Sequence, residues 1–290
     1  MFKGSIVAIV TPFINGQVDY EKLRELVEFQ IAGGTDAIVP CGTTGEASTL
    51  DYDEHIQVVK TVVAQVNKRV PVIAGTGSNA TAEAIELSQK AKEAGVDGVL
   101  LVTPYYNKPT QEGLFLHYTA IANAVAIPQI LYNVPGRTGI NMLPETVARL
   151  SALKNIVAIK EATGSLQQAS EILALCGDRI DVLSGDDFIT FPMMACGAKG
   201  VISVLANIMP KAVGDLTDAF FAGDLETARQ LHLKTLKISN AMFIESNPIP
   251  VKTALGLMGK CSDEVRLPLC EMSAGNKAKL EAIMKEYKLI

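Results

Sequence analysis

Eight short runs rich in β-branched residues recur along the chain, each with room for one helix before the next. No other feature limits the fold so sharply. The runs are Ser5–Thr11, Ala37–Cys41, Pro71–Gly75, Gly98–Thr103, Pro128–Asn133, Ile156–Lys160, Asp181–Gly185 and Gly200–Val204. Runs that are apolar without alternation mark strands buried on both faces of a parallel sheet. The gaps carry helix signals. Asp19 caps a stripe of Leu23, Leu26, Val27 and Ile31 that stops at Gly33-Gly34. Asp51-x-x-Glu54 has the spacing of a capping box. Asn79 or Thr81 opens a helix that ends at Gly95, and Thr110 opens another. Pro144 suits a first turn, and Ser165 caps a sixth helix that ends at Gly177. A faint repeat of helix end, glycine turn and strand appears at Ala32–Ile38, Ala94–Val99 and Cys196–Val201.

Eight alternating units predict an α/β chain folded as a (β/α)8 TIM barrel rather than an open doubly wound sheet. The turn after Thr11 also lacks the Gly-x-Gly-x-x-Gly of a dinucleotide-binding fold. From about Asn207 the pattern is helical only. Leu225, Ala228, Leu231 and Leu236 mark one long amphipathic helix, and Asn247-Pro248-Ile249-Pro250 is a break. The expected division is a barrel over residues 1-224 and a C-terminal helical appendage over 225-290, with no linker between them.

Composition narrows the function classes. The net charge is −5 and no basic run stands out, which argues against nucleic acid as a partner. No apolar stretch approaches the ~20 residues that span a bilayer, so no membrane segment is expected. Met1-Phe2-Lys3-Gly4 leads straight into a strand-like run without a signal-peptide core, pointing to the cytoplasm. The five cysteines lack a Cys-x-x-Cys pair and read as small buried hydrophobes of a reducing compartment. The three histidines, His55, His117 and His232, are isolated, and no local metal-ligand spacing exists.

The chemistry centres on Asn155–Ala162, where a β-branched run ends in a lysine. Alternation places Ile156, Ala158 and Lys160 on one face and Val157, Ile159 and Glu161 on the other. A buried lysine is disfavoured as ammonium, and a neutral amine attacks carbonyl carbon to form a Schiff base. The plainer alternative is a strand-end lysine that snorkels to water. In a barrel the site forms at the strands' C-terminal ends. Polar residues gather there: Thr11, Gly42–Glu46, Thr76, Thr103, Tyr105-Tyr106, Tyr132-Asn133, Ser184–Asp187 and Ser203. Tyr132 ends the strand beside that of Lys160, where its hydroxyl can pass protons; as a lone feature it is a half-buried aromatic with a wet tip. Thr43 and Thr44 open a helix-entry turn whose hydroxyls and N–H groups suit a carboxylate, or simply a cap. Arg137 offers a fork for a second carboxylate, or is a solvated arginine. Asp186-Asp187 reads as a cap rather than a metal site.

Gly42-Thr43-Thr44-Gly45-Glu46, then Tyr132-Asn133-Val134-Pro135-x-x-Thr138, then Ile159-Lys160-Glu161-Ala162, in this order, resemble the dihydrodipicolinate synthase / N-acetylneuraminate lyase family of Schiff-base aldolases. The resemblance runs from Gly4-Ser5-Ile6-Val7 to Pro248-Ile249-Pro250-Val251-Lys252. The doubled threonine, Tyr105-Tyr106-Asn107 and Arg137 favour the synthase branch. The resemblance implies a lyase that condenses pyruvate with L-aspartate 4-semialdehyde, in lysine and diaminopimelate biosynthesis. It implies that Lys160 forms the imine, with Tyr132, Thr43 and a neighbouring subunit's Tyr106 as a proton relay. It implies that Thr44 holds the pyruvate carboxylate, that Arg137 binds the semialdehyde and helps hold Tyr132, and that Gly185 and the backbone of Ile202 line the pocket. It also implies a homotetramer built as a dimer of dimers, with no organic cofactor. Feedback by L-lysine is implied at Ser48, Leu50, His55, Gly77, Asn79, Glu83 and Tyr105. Ala47 stands where inhibited members often have serine, and Tyr52 where some have histidine.

Three rivals remain at this point. A sugar-acid aldolase of the same family would keep Lys160 and Tyr132 and differ at Arg137 and Thr44. A phosphate-binding isomerase barrel needs a glycine-rich cradle that Ser184–Asp187 and Ser203–Asn207 lack. A keto-acid sensor would bind without turnover and has no use for a proton relay.

Overall fold

The computed structural model describes all 290 residues. The eight expected strands form, as β1 (Gly4–Ala8), β2 (Ala37–Val39), β3 (Ile73–Gly75), β4 (Gly98–Val102), β5 (Gln129–Asn133), β6 (Ile156–Glu161), β7 (Asp181–Ser184) and β8 (Gly200–Ser203). Their order in the sheet is β2-β1-β8-β7-β6-β5-β4-β3, and every pair is parallel. A further parallel bridge, Ile38 to Val72, joins β2 to the entry of β3 and closes the ring. The fold is a (β/α)8 barrel. Several strands stop short of the expected ends, so Thr11, Cys41, Thr103, Gly185 and Val204 fall in the loops beyond them. A small hairpin, Phe13–Ile14 with Gln17–Val18, follows β1.

The strands bury both faces. Outward residues such as Val7, Ile38, Val99, Leu101, Leu131 and Ile159 join one apolar cluster of 59 residues, whereas the interior cluster holds 13. Most of the hydrophobic stabilisation therefore lies between strands and helices. The interior mixes small Ala8, Ala37 and Ala158 with Ile6, Ile73, Ile130 and Ile202, so that opposite strands fill the bore. One expectation on β6 fails. Gln129 pairs with Ile156 but Ile130 pairs with Ala158, so Val157 is an extra residue in the ladder. This bulge turns Ile156 outward, away from Ala158, and packs Val157 against the interior.

Side-chain caps or first-turn prolines mark most helix starts. Asp19 accepts from the Lys22 amide, Thr110 from Gly113 and Ser165 from Gln168, and Asp51 with Glu54 forms a full capping box. Pro144 occupies a first turn as expected. The helix Thr81–Glu93 opens at Thr81, one of the two expected residues, but without a capping side chain. Its cap position is Ala80, without a side-chain bond, and Ser78 Oγ accepts from the Ala80 amide at 3.1 Å. Asn79 instead donates to the Tyr105 carbonyl at 3.2 Å.

After the barrel's last helix, Pro210–Phe221, come Leu225–Ala241, Ile249–Leu257 and Ala274–Glu286. The apolar stripe expected on the first of these is displaced. Leu225 is exposed, and the buried face is Ala228, His232, Thr235, Ile238, Ser239 and Ala241. The proline break is the start of the next helix, with Pro250 in its first turn. Val251, Leu255, Leu280 and Met284 enter the same outer cluster as the barrel. No helix is long and apolar enough to cross a membrane.

Candidate active site

Two lysines are buried in this chain, at 5% and 0% exposure for Lys160 and Lys252. Burying a charge is costly unless it is paired. Lys252 has its partner, Glu46 at 2.7 Å. Lys160 takes part in none of the ion pairs of the protein, and its Nζ lies 4.4 Å from the ring centre of Tyr132. Register makes this neighbour. Tyr132 on β5 pairs directly with Lys160 on β6, and both point into the barrel bore. A buried lysine kept without a carboxylate is a poor structural element and a suitable nucleophile.

The strand ends that carry this pair are pinned from outside the barrel. Fully buried Glu161 accepts from the Thr163 amide at 2.9 Å and from Asn133 Nδ2 at 3.2 Å. Asn133 Nδ2 also donates to Asn141 Oδ1 at 2.8 Å, and Asn141 donates to Gln168 at 2.8 Å. Burial raises the Glu161 carboxyl above the usual range, against the pull of these bonds.

Beyond β7, Asp186 is pushed up to about 6 by burial, drawn down by nearby Lys160 and raised again by Asp187 and Glu161. Asp187 is a cap, as expected, but for a turn on another strand. Its oxygens accept from Ser203 Oγ and from the Val204 and Leu205 amides at 2.5–3.0 Å. Gly185 is required where it stands, since a Cβ would lie 2.4 Å from that of Ala162.

A cavity of about 410 Å³ opens over the strand ends and is lined by Thr43, Tyr132 and Arg137 among others. Thr44 is buried behind the same turn, and its Oγ1 accepts from Asn247 Nδ2 at 2.9 Å. Arg137, exposed on the short helix Pro135–Thr138, donates to the Asn247 carbonyl at 3.0 Å. Asn247 thus ties the Thr43-Thr44 turn to Arg137. In the sequence Asn247 carries no signal beyond the proline break it begins. Lys160, Thr44, Gly185 and Ile202 are not part of the cavity wall, and Ile202 is fully buried in the bore.

The same cavity continues past Ser48, Leu50, His55, Gly77, Glu83 and Tyr105, so the two expected groups of residues share one space. Asn79 sits behind Tyr105 rather than in the wall. His55 is buried against the Gly75 carbonyl at 2.8 Å, and burial pulls its imidazole below the ordinary value. Tyr52 also lines this end, its phenol pushed up to about 12 by burial and then by Glu86. Tyr106 stays apart. It is 90% exposed, with the left-handed φ of 71°, and does not approach its own chain's cavity. Other polar residues of the set are used structurally: Thr11 donates to the Gly45 carbonyl at 2.7 Å and Thr103 to Thr138 at 3.3 Å. Among all residues, no three His, Cys, Asp or Glu side chains converge in a metal-holding group.

Comparison with known proteins then adds a likeness along the whole length. Residues 1–287 match the model of the dihydrodipicolinate synthetase family. The chain is 90% identical to the 4-hydroxy-tetrahydrodipicolinate synthase of Geobacter sulfurreducens, over all of both chains. Its fold is similar to that of the chloride-inhibited dihydrodipicolinate synthase of Acinetobacter baumannii complexed with pyruvate, with TM-score 0.98, 49% identity and full coverage of both. The Cyanidioschyzon merolae enzyme with lysine bound is 40% identical with TM-score 0.96, covering 100% and 99% of the two chains. A monomeric dihydrodipicolinate synthase variant is 44% identical with TM-score 0.98, covering 100% and 98%.

Proposed function

The chain belongs to the dihydrodipicolinate synthetase family, and from that premise we propose how its residues divide the work of the reaction. That reaction is the lyase-type condensation of pyruvate with L-aspartate 4-semialdehyde to 4-hydroxy-tetrahydrodipicolinate, in lysine and diaminopimelate biosynthesis. In our reading Lys160 Nζ attacks the pyruvate carbonyl, and water leaves as the imine forms. The imine draws electrons from the methyl group, which loses a proton to give an enamine. The enamine attacks the aldehyde, and the product's amine closes the ring and releases Lys160. Tyr132, Thr43 and a neighbouring subunit's Tyr106 carry the protons. Two carboxylated substrates need two anion sites, which we assign to Thr44 with its turn and to Arg137. Gly185 and the backbone of Ile202 we assign to the pocket around the imine, below the open cavity.

The observation that carries this reading is Lys160 itself, buried, unpaired and set against Tyr132. Borohydride reduction in the presence of pyruvate, followed by peptide mass mapping, tests it. A three-carbon adduct on Lys160 is expected, and its absence from that side chain removes the mechanism.

We further read the assembly as a homotetramer in the cytoplasm, with a barrel over 1-224 as the catalytic unit and 225-290 as its helical partner. Tyr106, exposed and away from its own cavity, supports the first, and the five unpaired cysteines suit a reducing compartment. L-Lysine is proposed as an effector at Ser48, Leu50, His55, Gly77, Asn79, Glu83 and Tyr105. The shared cavity supports it, with Glu83 suited to the ammonium group. Titrating L-lysine into a steady-state assay decides: a response flat to millimolar concentration sinks the effector role, leaving the condensation untouched.

A further inference from the structure

The turn Gly42–Ala47 carries the threonines yet is anchored to the barrel by little of its own. Within it, Gly45 and Ala47 amides donate to the Gly42 carbonyl at 3.1 and 3.4 Å, and Thr11 Oγ1 donates to the Gly45 carbonyl at 2.7 Å. Apart from Thr49 Oγ1, which donates to the Glu46 carbonyl at 3.1 Å, the remaining side-chain anchors come from the far end of the chain. Asn247 donates to Thr44, and the Glu46 carboxylate is held on both oxygens, by Lys252 Nζ at 2.7 Å and by the Arg266 amide at 3.1 Å. Glu46 adopts φ 53°, a left-handed conformation that a side chain other than glycine's rarely takes without a cause. Its carboxylate is drawn inward to a lysine that is fully buried.

Lys252 and Arg266 both lie over the Phe13 ring, at 4.1 and 4.4 Å, and Arg266 clamps Glu54 with two bonds of 2.6 Å. Lys252 is thus held between the Glu46 carboxylate and the Phe13 ring. A fully buried ion pair is weak evidence for stability, since well-packed apolar replacements are often as stable. What such a pair supplies is a defined geometry, and the geometry it defines here is two residues from Thr44.

We propose that Lys252 is a positioning residue for the pyruvate carboxylate turn: through Glu46 it fixes the bend that sets the Thr44 hydroxyl. The proposal rests on the reading of Thr44 as the carboxylate site. It makes the helix Ile249–Leu257 part of the substrate-binding machinery, acting through the turn rather than by touching substrate.

The test is the double variant Glu46→Gln/Lys252→Met, which removes both charges and leaves neither unpaired, with Glu46→Gln alone as the isosteric second variant. Folding is followed by circular dichroism and thermal melting. In the folded double variant the KM for pyruvate is expected to rise about tenfold or more, while kcat at saturating pyruvate and the KM for aspartate semialdehyde move less than about threefold. Glu46→Gln is expected to shift pyruvate KM in the same direction. A folded variant of either kind with pyruvate KM within about twofold of the parent overturns the proposal. So does failure of both to fold, which assigns the pair to stability alone. Thr44→Val separates the premise. If it leaves pyruvate KM unchanged, the reading of Thr44 fails; if it raises KM while the pair variants do not, only the role of Lys252 fails.

Discussion

Lys160 and Lys252 are the same residue type at similar depth, and their surroundings give them opposite chemistry. Lys252 has a carboxylate at 2.7 Å, and Lys160 has an aromatic face at 4.4 Å. The phenol beside Lys160 is expected to move protons. Tyr132→Phe should lower kcat about 10²–10⁴-fold in steady-state assays, and a fall under about threefold would take Tyr132 out of the relay. A different residue sets an acid limit to stability. His117 is buried, its Nδ1 lies 2.9 Å from Thr81 Oγ1 and its Nε2 has no partner. Burial pushes this imidazole down from 6.5 to about 4. The unfolded chain therefore takes up a proton that the native chain refuses. Above the unfolded value His117 adds no pH dependence, and stability is lost as pH falls from 6.5 toward 4. The loss is about 3 kcal/mol at most. His117→Leu should flatten the urea-midpoint profile across that window. An unchanged slope would move the effect to His55 and His232, whose imidazoles burial also lowers.

Elements here are set by local signals, and they differ in how strongly. The capping box at Asp51 and Glu54 starts the helix Tyr52–Val66, one wall of the cavity. Asp51→Ala should cost about 1 kcal/mol in urea denaturation, and a loss below about 0.3 kcal/mol would show that Arg266, clamping Glu54, holds that helix end instead. Strand existence was legible because β-branched runs recur between capped helices. Strand ends were not, because Thr11, Cys41 and Thr103 look like strand in composition although all three lie past the ladder, and Cys41 turns away with a left-handed φ of 55°. The bulge at Val157 left no mark at all, since alternation in the sequence assumes an unbroken ladder. The stripe expected on Leu225–Ala241 was displaced because His232, Thr235 and Ser239 bury polar side chains that a hydrophobic pattern does not count.

At the scale of the whole molecule, one chain lacks part of the proposed relay. Tyr106 projects into solvent while Lys160 lies in the bore. If it serves a neighbour, then mixing Tyr106→Phe with Lys160→Ala under subunit exchange should restore activity that neither variant has. Recovery confined to the sum of the separate variants would place Tyr106 outside the relay.

What the sequence determined by itself was local and periodic: eight strand–helix units, their caps, a lysine ending a doubly buried strand, and a tyrosine ending the strand beside it. Each depends on residues a few positions apart, where propensity and spacing speak. Only the tertiary structure decided which buried lysine stands unpaired and what shapes the turn at Thr43-Thr44. Asn247 reaches Thr44 across 203 residues and Lys252 reaches Glu46 across 206. Partners so far apart leave no spacing to read, because closing the barrel, not the pattern of either segment, brings them into contact.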